Sequence, residues 1–230
     1  MPPIGMVGGM SWHSTAHYYR LLNENSESRY GARMNAESIL VTLPFAPLVQ
    51  AMEEGDRAGV ADRIAAAAVK AQQAGVRCVM LTAFTAHFAA PEVRDAIAVP
   101  LIDAFDALAE AARELSVTRL GMLGTRHTLA DPQLSERLRH AGIVTVMPTS
   151  ETAGRIDTVI AEELTAGSIS DRAGDALDAS VAELARRGAQ AVALACTELP
   201  LLLPRQAEVP LIDGVETHVL HALNTLEKME

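Results

Sequence analysis

At 230 residues the chain has room for one large domain or for two lobes of roughly 110 residues each. Hydrophobic residues make up 49 % of it and aromatics only 3 %, so a sizeable core must be built from small and aliphatic side chains. A formal net charge of −10 argues against nucleic acid and anionic membrane surfaces as partners, but not against an acidic small molecule, which local donors would hold.

The elements follow in order along the chain. Pro2 to Val7 reads as a short apolar strand broken by Gly8-Gly9. A helix from about Thr15 to Asn25 follows, with Ser14 or Thr15 as its cap. The glycine pair is either a plain strand-to-helix turn or a cradle whose backbone N–H groups, from Gly8 to Met10, meet a carboxylate. It is not GxGxxG and no P-loop lysine follows, which argues against a nucleotide. Residues 26–35 read as a loop, and Ser38 to Leu43 as a strand closed by Pro44 and Pro47. A long helix spans Asp56 to Ala74 and is stopped by Gly75; the next buried strand is Val76 to Leu81, with Cys78 as a core residue. Thr82 to His87 forms a corner, Pro91 to Ala96 a short helix and Val99 to Ile102 a strand, after which Asp103 caps a helix to about Leu115.

The second half repeats this plan. Strand Arg119 to Leu123, a turn at Gly124 to Thr128, a helix from Asp131, and strand Ile143 to Met147 come first. Helices over 152–164 and 170–187 follow, then strand Gln190 to Ala195, a proline-rich connection, strand Val209 to Ile212 and a final helix from Gly214. Strands alternating with helices predict a parallel α/β fold. The repetition is also literal: Val99-Pro100-Leu101-Ile102-Asp103 recurs as Val209-Pro210-Leu211-Ile212-Asp213, and Ile4-Gly5-Met6-Val7-Gly8 is echoed by Leu120-Gly121-Met122-Leu123-Gly124. The offset makes Ala83 the half-equivalent of Cys196.

Cys196 is the main candidate for chemistry, because ligands in parallel α/β sheets bind just beyond the carboxyl ends of the strands. The alternative is a buried structural thiol. A helix start behind it would stabilise the thiolate and lower the thiol pKa. Thr197 would donate to a substrate carboxylate, and Glu198 either anchors the helix or takes part directly. His218 either orients or deprotonates Cys196, or is a partly exposed helical histidine. On the matching corner of the first half, Thr85 and His87 are candidates, His87 being either functional or packed between the halves. The other histidines have no metal-ligand spacing, and HExxH, paired CxxC and GxSxG are all absent. With only Cys78 and Cys196, no leader-like opening and no long apolar run, a reducing cytoplasmic setting is the expectation.

Several of these stretches resemble the aspartate/glutamate racemase family, which uses no pyridoxal phosphate. Gly8-Gly9-Met10-Ser11-Trp12-His13-Ser14-Thr15 resembles its GGMSWEST opening, and Thr85-Ala86-His87 the end of its CNTAH motif. Gly121-Met122-Leu123-Gly124-Thr125 resembles GLLGT, and Ala195-Cys196-Thr197-Glu198-Leu199-Pro200 resembles GCTELP. The resemblance implies two pseudo-symmetric lobes, each a parallel sheet flanked by helices, at about 1–103 with 214–230 and about 104–213. It also implies a site between the lobes, a homodimer, no cofactor, and an amino acid or related carboxylic acid as substrate. Catalysis would rest on Cys196, with Thr82, His87 or water serving the opposite face. Gly9, Met10, Ala83, Phe84, Thr85, Thr125, Thr197, Glu198 and His218 would line the substrate.

The sequence departs from the family at Ala83 and Phe84, which stand where the motif has cysteine and asparagine, and at His13, where glutamate is common. A methyl group neither takes nor gives a proton. The readings are therefore a racemase or isomerase acting at an α-carbon, a single-cysteine decarboxylase like the arylmalonate decarboxylases, or a weakly active carboxylate-binding homologue.

Overall fold

The computed structural model describes residues 2–202 and 207–229. The chain forms two compact units: one runs up to Ala104 and resumes at His218, the other is Phe105–Thr217. In the first unit β1 (Ile4–Gly8), β2 (Ser38–Thr42), β3 (Cys78–Leu81) and β4 (Leu101–Ile102) form an all-parallel sheet of order β2-β1-β3-β4. Its helices are α1 (Trp12–Tyr30), α2 (Phe45–Glu53), α3 (Arg57–Gln73) and α4 (Ala90–Ala96), with a 3₁₀ turn over Phe84–Ala89. Helix α5 (Ala104–Glu114) leads into the second unit.

The second sheet repeats the first. Strands β5 (Arg119–Gly124), β6 (Val144–Val146), β7 (Ala191–Ala195) and β8 (Leu211–Asp213) are parallel in the order β6-β5-β7-β8. Helices α6 (Arg126–Leu129), α7 (Pro132–His140), α8 (Ser150–Glu162) and α9 (Asp171–Arg186) accompany it, and α10 (Gly214–Glu227) closes the chain. The expected parallel α/β class and its duplication are both present. The proline-rich connection between β7 and β8 lies partly outside the described residues.

Small side chains set the helix-to-sheet packing. On α3, Val60, Ala61, Ile64, Ala65, Ala67, Ala68 and Ala71 are buried, the spacing of one helical face. They pack with Val7, Val79 and Leu81 of β1 and β3. In the second unit Ile156, Val159 and Ile160 of α8 and Leu177, Val181 and Leu184 of α9 do the same against Leu123, Val192 and Leu194. Each buried valine, leucine or isoleucine contributes about 1.5–3 kcal/mol and each alanine methyl less.

Two elements differ from expectation. Helix α1 continues to Tyr30, through much of the stretch that reads as a loop, and its cap is Ser11, whose hydroxyl accepts the Ser14 amide at 3.4 Å. The hydroxyls of Ser14 and Thr15 are occupied elsewhere. The extra turns are held by distant partners: Arg29 donates to Asn224 at 2.8 Å, Tyr30 donates to Glu227, and Ser26 donates to the Met34 carbonyl. Helix α2 occupies the segment read as a strand terminator. Pro44 is its cap residue and Pro47 falls in its first turn, where backbone N–H groups have no helical acceptor to lose.

Candidate active site

The register within each sheet pairs the halves residue by residue. Val7 lies beside Leu81 on β1 and β3, and Leu123 lies beside Leu194 on β5 and β7. Two residues past Leu81 is Ala83; two residues past Leu194 is Cys196. The half-equivalence read from the repeats is therefore also a geometric one.

In the second unit Cys196 follows the last residue of β7 and is buried. Its thiol donates to Glu198 Oε2 at 3.1 Å, and the Thr197 hydroxyl donates to the same oxygen. The next turn is 3₁₀, Leu199–Leu201. Burial and the Glu198 charge push the thiol well above its ordinary range, outweighing the backbone amides of Glu198 and Leu199, which act the other way. This corrects the expectation of a lowered thiol pKa: the helix behind Cys196 is a single short turn, and a carboxylate stands beside the sulfur. At neutral pH Cys196 carries its proton. The Thr197 hydroxyl, expected to donate to a substrate carboxylate, here donates to Glu198 instead. Thr125 is also engaged, accepting the Thr128 amide at 3.2 Å as the cap of α6.

In the first unit, Gly9 (φ +95°) donates its amide to Thr15 Oγ1 at 2.9 Å, so that amide is not directed at a ligand as the cradle reading expects. The Met10 amide has no hydrogen-bond partner among the described residues, while its side chain packs on the core. Thr15 Oγ1 meets Thr82 Oγ1 at 2.9 Å, Thr82 also approaches the Val7 carbonyl at 3.3 Å, and Ser14 donates to the Thr82 carbonyl. Thr82 is thus part of a buried clamp joining α1, β1 and β3, and among the described residues its hydroxyl bonds only Thr15 and the Val7 carbonyl. Ala83 and Phe84 are buried and apolar. Thr85 is half-buried, and its hydroxyl has no partner among the described residues. His13, at the departure in the first motif, is exposed with its ring 3.7 Å from that of Trp12.

His87 and His218 are both fully buried, and both belong to the first unit. His87 Nε2 accepts the Ala104 amide at 3.1 Å, which leaves Nδ1 to carry the proton donated to the Ala83 carbonyl at 3.0 Å. His218 Nε2 donates to the Ile102 carbonyl at 2.9 Å, and its Nδ1 accepts from the Tyr18 hydroxyl at 3.0 Å. With both ring nitrogens bound, His218 is neither a partly exposed histidine nor one with a nitrogen free for a thiol. Tyr18 was not singled out from the sequence. Its signal was there: Ser14, Tyr18 and Leu22 recur at helical spacing on the buried face of α1.

Burial and the neighbouring His87 hold the His218 pKa down to about 3, against small opposing effects of the Ile102 carbonyl and Asp103, while His221 adds to the depression. Burial lowers His87 too, partly offset by Asp103. Asp103 is ion-paired with Arg94. Because the folded pKa lies below the unfolded value, the unfolded chain binds the extra proton. Stability is complete above about pH 6.5 and falls as pH drops towards 3, by up to about 1.4 kcal/mol per pH unit from His218 alone. Urea unfolding between pH 7.5 and 4.5 will show this loss, and His218→Gln will show a shallower one over the same window.

Among the described residues there is no group of three or more His, Cys, Asp or Glu side chains placed to hold a metal ion, and no helix long and apolar enough to cross a membrane.

Two parallel sheets of corresponding order, with polar side chains just past the carboxyl ends of corresponding strands, define a duplicated all-parallel α/β protein. The chain belongs to the Asp/Glu/hydantoin racemase family, whose model matches residues 7–222. It is similar to the crystal structure of a Yersinia pestis protein ascribed to the Asp/Glu racemases, with 31 % identity, a TM-score of 0.91, and 98 % of this chain and 100 % of that one covered. An aspartate racemase homologue from Pyrococcus horikoshii is 26 % identical, with a TM-score of 0.87 over 99 % of this chain and 100 % of that one. The aspartate racemase of Picrophilus torridus, at 19 % identity, shares the fold, with a TM-score of 0.77 over 99 % and 95 % of the two chains.

Proposed function

We propose that the protein is a cofactor-independent enzyme that moves a proton at the α-carbon of an amino acid or related carboxylic acid, with Cys196 as the acid/base. The observation that carries this reading is the Cys196 thiol held 3.1 Å from the Glu198 carboxylate. An α-proton is a very weak acid, and general acid–base catalysis needs a group poised to exchange it. In the deprotonation direction the thiol proton passes to Glu198 while the sulfur takes the α-proton, leaving the substrate as a carbanion. In the reverse direction the thiol protonates the carbanion and recovers a proton from Glu198.

A second reading is favoured by the apolar pair Ala83 and Phe84, which provide no second proton carrier. In a decarboxylase the bond from Cα to a carboxylate breaks with its electrons kept on Cα and carbon dioxide leaving. A single thiol then suffices to protonate the carbanion.

Proton NMR in D₂O on a panel of amino acids, 2-substituted acids and malonates tests both. Wild type is expected to exchange an α-proton or release carbon dioxide, and Cys196→Ser to lose this by about 10²–10⁴-fold. Chiral analysis of the same samples separates racemisation from exchange with retention. Activity that survives Cys196→Ser intact would overturn the assignment of Cys196.

A further inference from the structure

The buried His87 is not spent by the chemistry above, yet it makes two well-aligned hydrogen bonds to backbone groups on either side of the first unit's corner. We propose that His87 is a positioning residue that acts through Thr85: by gripping the Ala83 carbonyl and the Ala104 amide it fixes the 83–87 corner, so that the Thr85 hydroxyl is presented to a substrate carboxylate. The inference rests on the carboxylate-substrate reading just given.

The geometry allows only one state of the ring. Ala104 N–H must find a lone pair on Nε2 at 3.1 Å, and the Ala83 carbonyl must find a proton on Nδ1 at 3.0 Å. A protonated ring would set Nε2–H against the Ala104 N–H, so His87 works as a neutral bridge. It spans from Ala83, two residues past β3, to Ala104, the first residue of α5, fastening the corner that leaves β3 to the chain that leaves β4. The corner needs this brace. Its 3₁₀ turn over Phe84–Ala89 has no side-chain cap, because the preceding residue, Ala83, has no polar side chain. Thr85 lies between the two gripped points, and its hydroxyl is uncommitted among the described residues. Its ability to meet a carboxylate depends on where the corner holds it. A hydrogen bond weakens steeply once its donor is turned away from the acceptor.

Two measurements test this. In uniformly ¹⁵N,¹³C-labelled wild type, ring ¹⁵N shifts assigned through bonds should show His87 with its proton on Nδ1 and unchanged between pH 8 and 5. A proton on Nε2, or titration near pH 6.5, overturns the proposal without any ligand being needed. Calorimetric titration with L-aspartate, D-aspartate, malonate and succinate then reads the coupling. Thr85→Val should weaken binding about tenfold, the worth of one hydrogen bond. His87→Gln, whose amide reaches the Nε2 position but not the Ala83 carbonyl, should lose a similar factor. His87→Asn, whose amide stands at the Nδ1 position, should recover most of it. The Thr85→Val/His87→Gln double variant should bind no more weakly than Thr85→Val. Additive losses, or equal losses in the Asn and Gln variants, would show a merely structural histidine and overturn the proposal while α-proton exchange at Cys196 stands. Failure of wild type to bind every carboxylate would overturn the carboxylate reading itself.

Discussion

Glu198→Gln is expected to make Cys196 ionise at a lower pH and, at the same time, to slow α-proton exchange by about a hundredfold or more. The two effects point in opposite chemical directions, which is what makes the variant informative. The Glu198 carboxylate raises the Cys196 pKa both by its charge and by accepting the thiol proton. Replacing it with a neutral amide removes the charge and supplies an N–H that can donate to the thiolate, and the backbone amides of residue 198 and Leu199 then favour thiolate with less opposition. A larger thiolate fraction would by itself speed proton abstraction. If Glu198 only tuned the thiol, exchange at neutral pH would rise. If it receives and returns the thiol proton, exchange falls by the 10²–10⁴-fold typical of removing a general acid/base. Thiolate absorbance near 240 nm followed against pH gives the first effect. Cys196→Ser serves as the blank, because Cys78 ionises only at about 12 and stays silent over the useful range. Proton NMR in D₂O gives the second. Faster exchange in the amide variant would remove Glu198 from the proton path and leave Cys196 acting alone.

How far the sequence could be read depended on how local the deciding interactions were. The strands and their parallel order were legible because each is a short apolar run and because Val99–Asp103 and Val209–Asp213 are identical. The pairing of Ala83 with Cys196 followed from the same repeat, and the sheet registers reproduce it. The end of α1 was not legible. Its last turns are polar, with weak preference for helix, and they are held by Asn224 and Glu227, nearly 200 residues away in the chain. Helix α2 was hidden by its prolines, which mark a strand end and a first helical turn equally well.

The state of the Cys196 thiol was hidden for a related reason. The effect of a helix start on a thiol is visible in sequence, but desolvation is a property of the folded chain, and at Cys196 desolvation is the largest effect. His87 and His218 are the same case. Their partners are the carbonyls of Ala83 and Ile102, the amide of Ala104 and the Tyr18 hydroxyl, and backbone groups leave no residue-type signature in a sequence. Thr82 reads as a candidate for the opposite face of the substrate, and Thr125 and Thr197 as residues lining it. In the fold their hydroxyls serve a clamp, a helix cap and a carboxylate.

Gly9→Ala should destabilise the protein by about 3 kcal/mol or more, far beyond the cost of the same change at Gly55. Both positions have positive φ, +95° at Gly9 and +81° at Gly55, where an L side chain costs about 1–2 kcal/mol. They differ in what a new Cβ would meet. At Gly55 no atom lies within 4 Å, so only the conformational cost is felt. At Gly9 the Cβ would fall 2.1 Å from the Leu43 carbonyl oxygen and 2.7 Å from its nitrogen. Those are backbone atoms, and the Leu43 amide is itself bonded to the Gly8 carbonyl at 2.9 Å, so neither side can yield without breaking the exit of β1 or β2. Overpacking of this kind adds roughly 1–3 kcal/mol to the strain. The damage should also reach the site, because the Gly9 amide holds Thr15, and Thr15 holds Thr82 at the end of β3. Urea unfolding of the two variants beside wild type measures the difference. Equal losses at Gly9 and Gly55 would mean that the turn after β1 is loose enough to absorb a methyl group, and that the clamp built on it is not rigid.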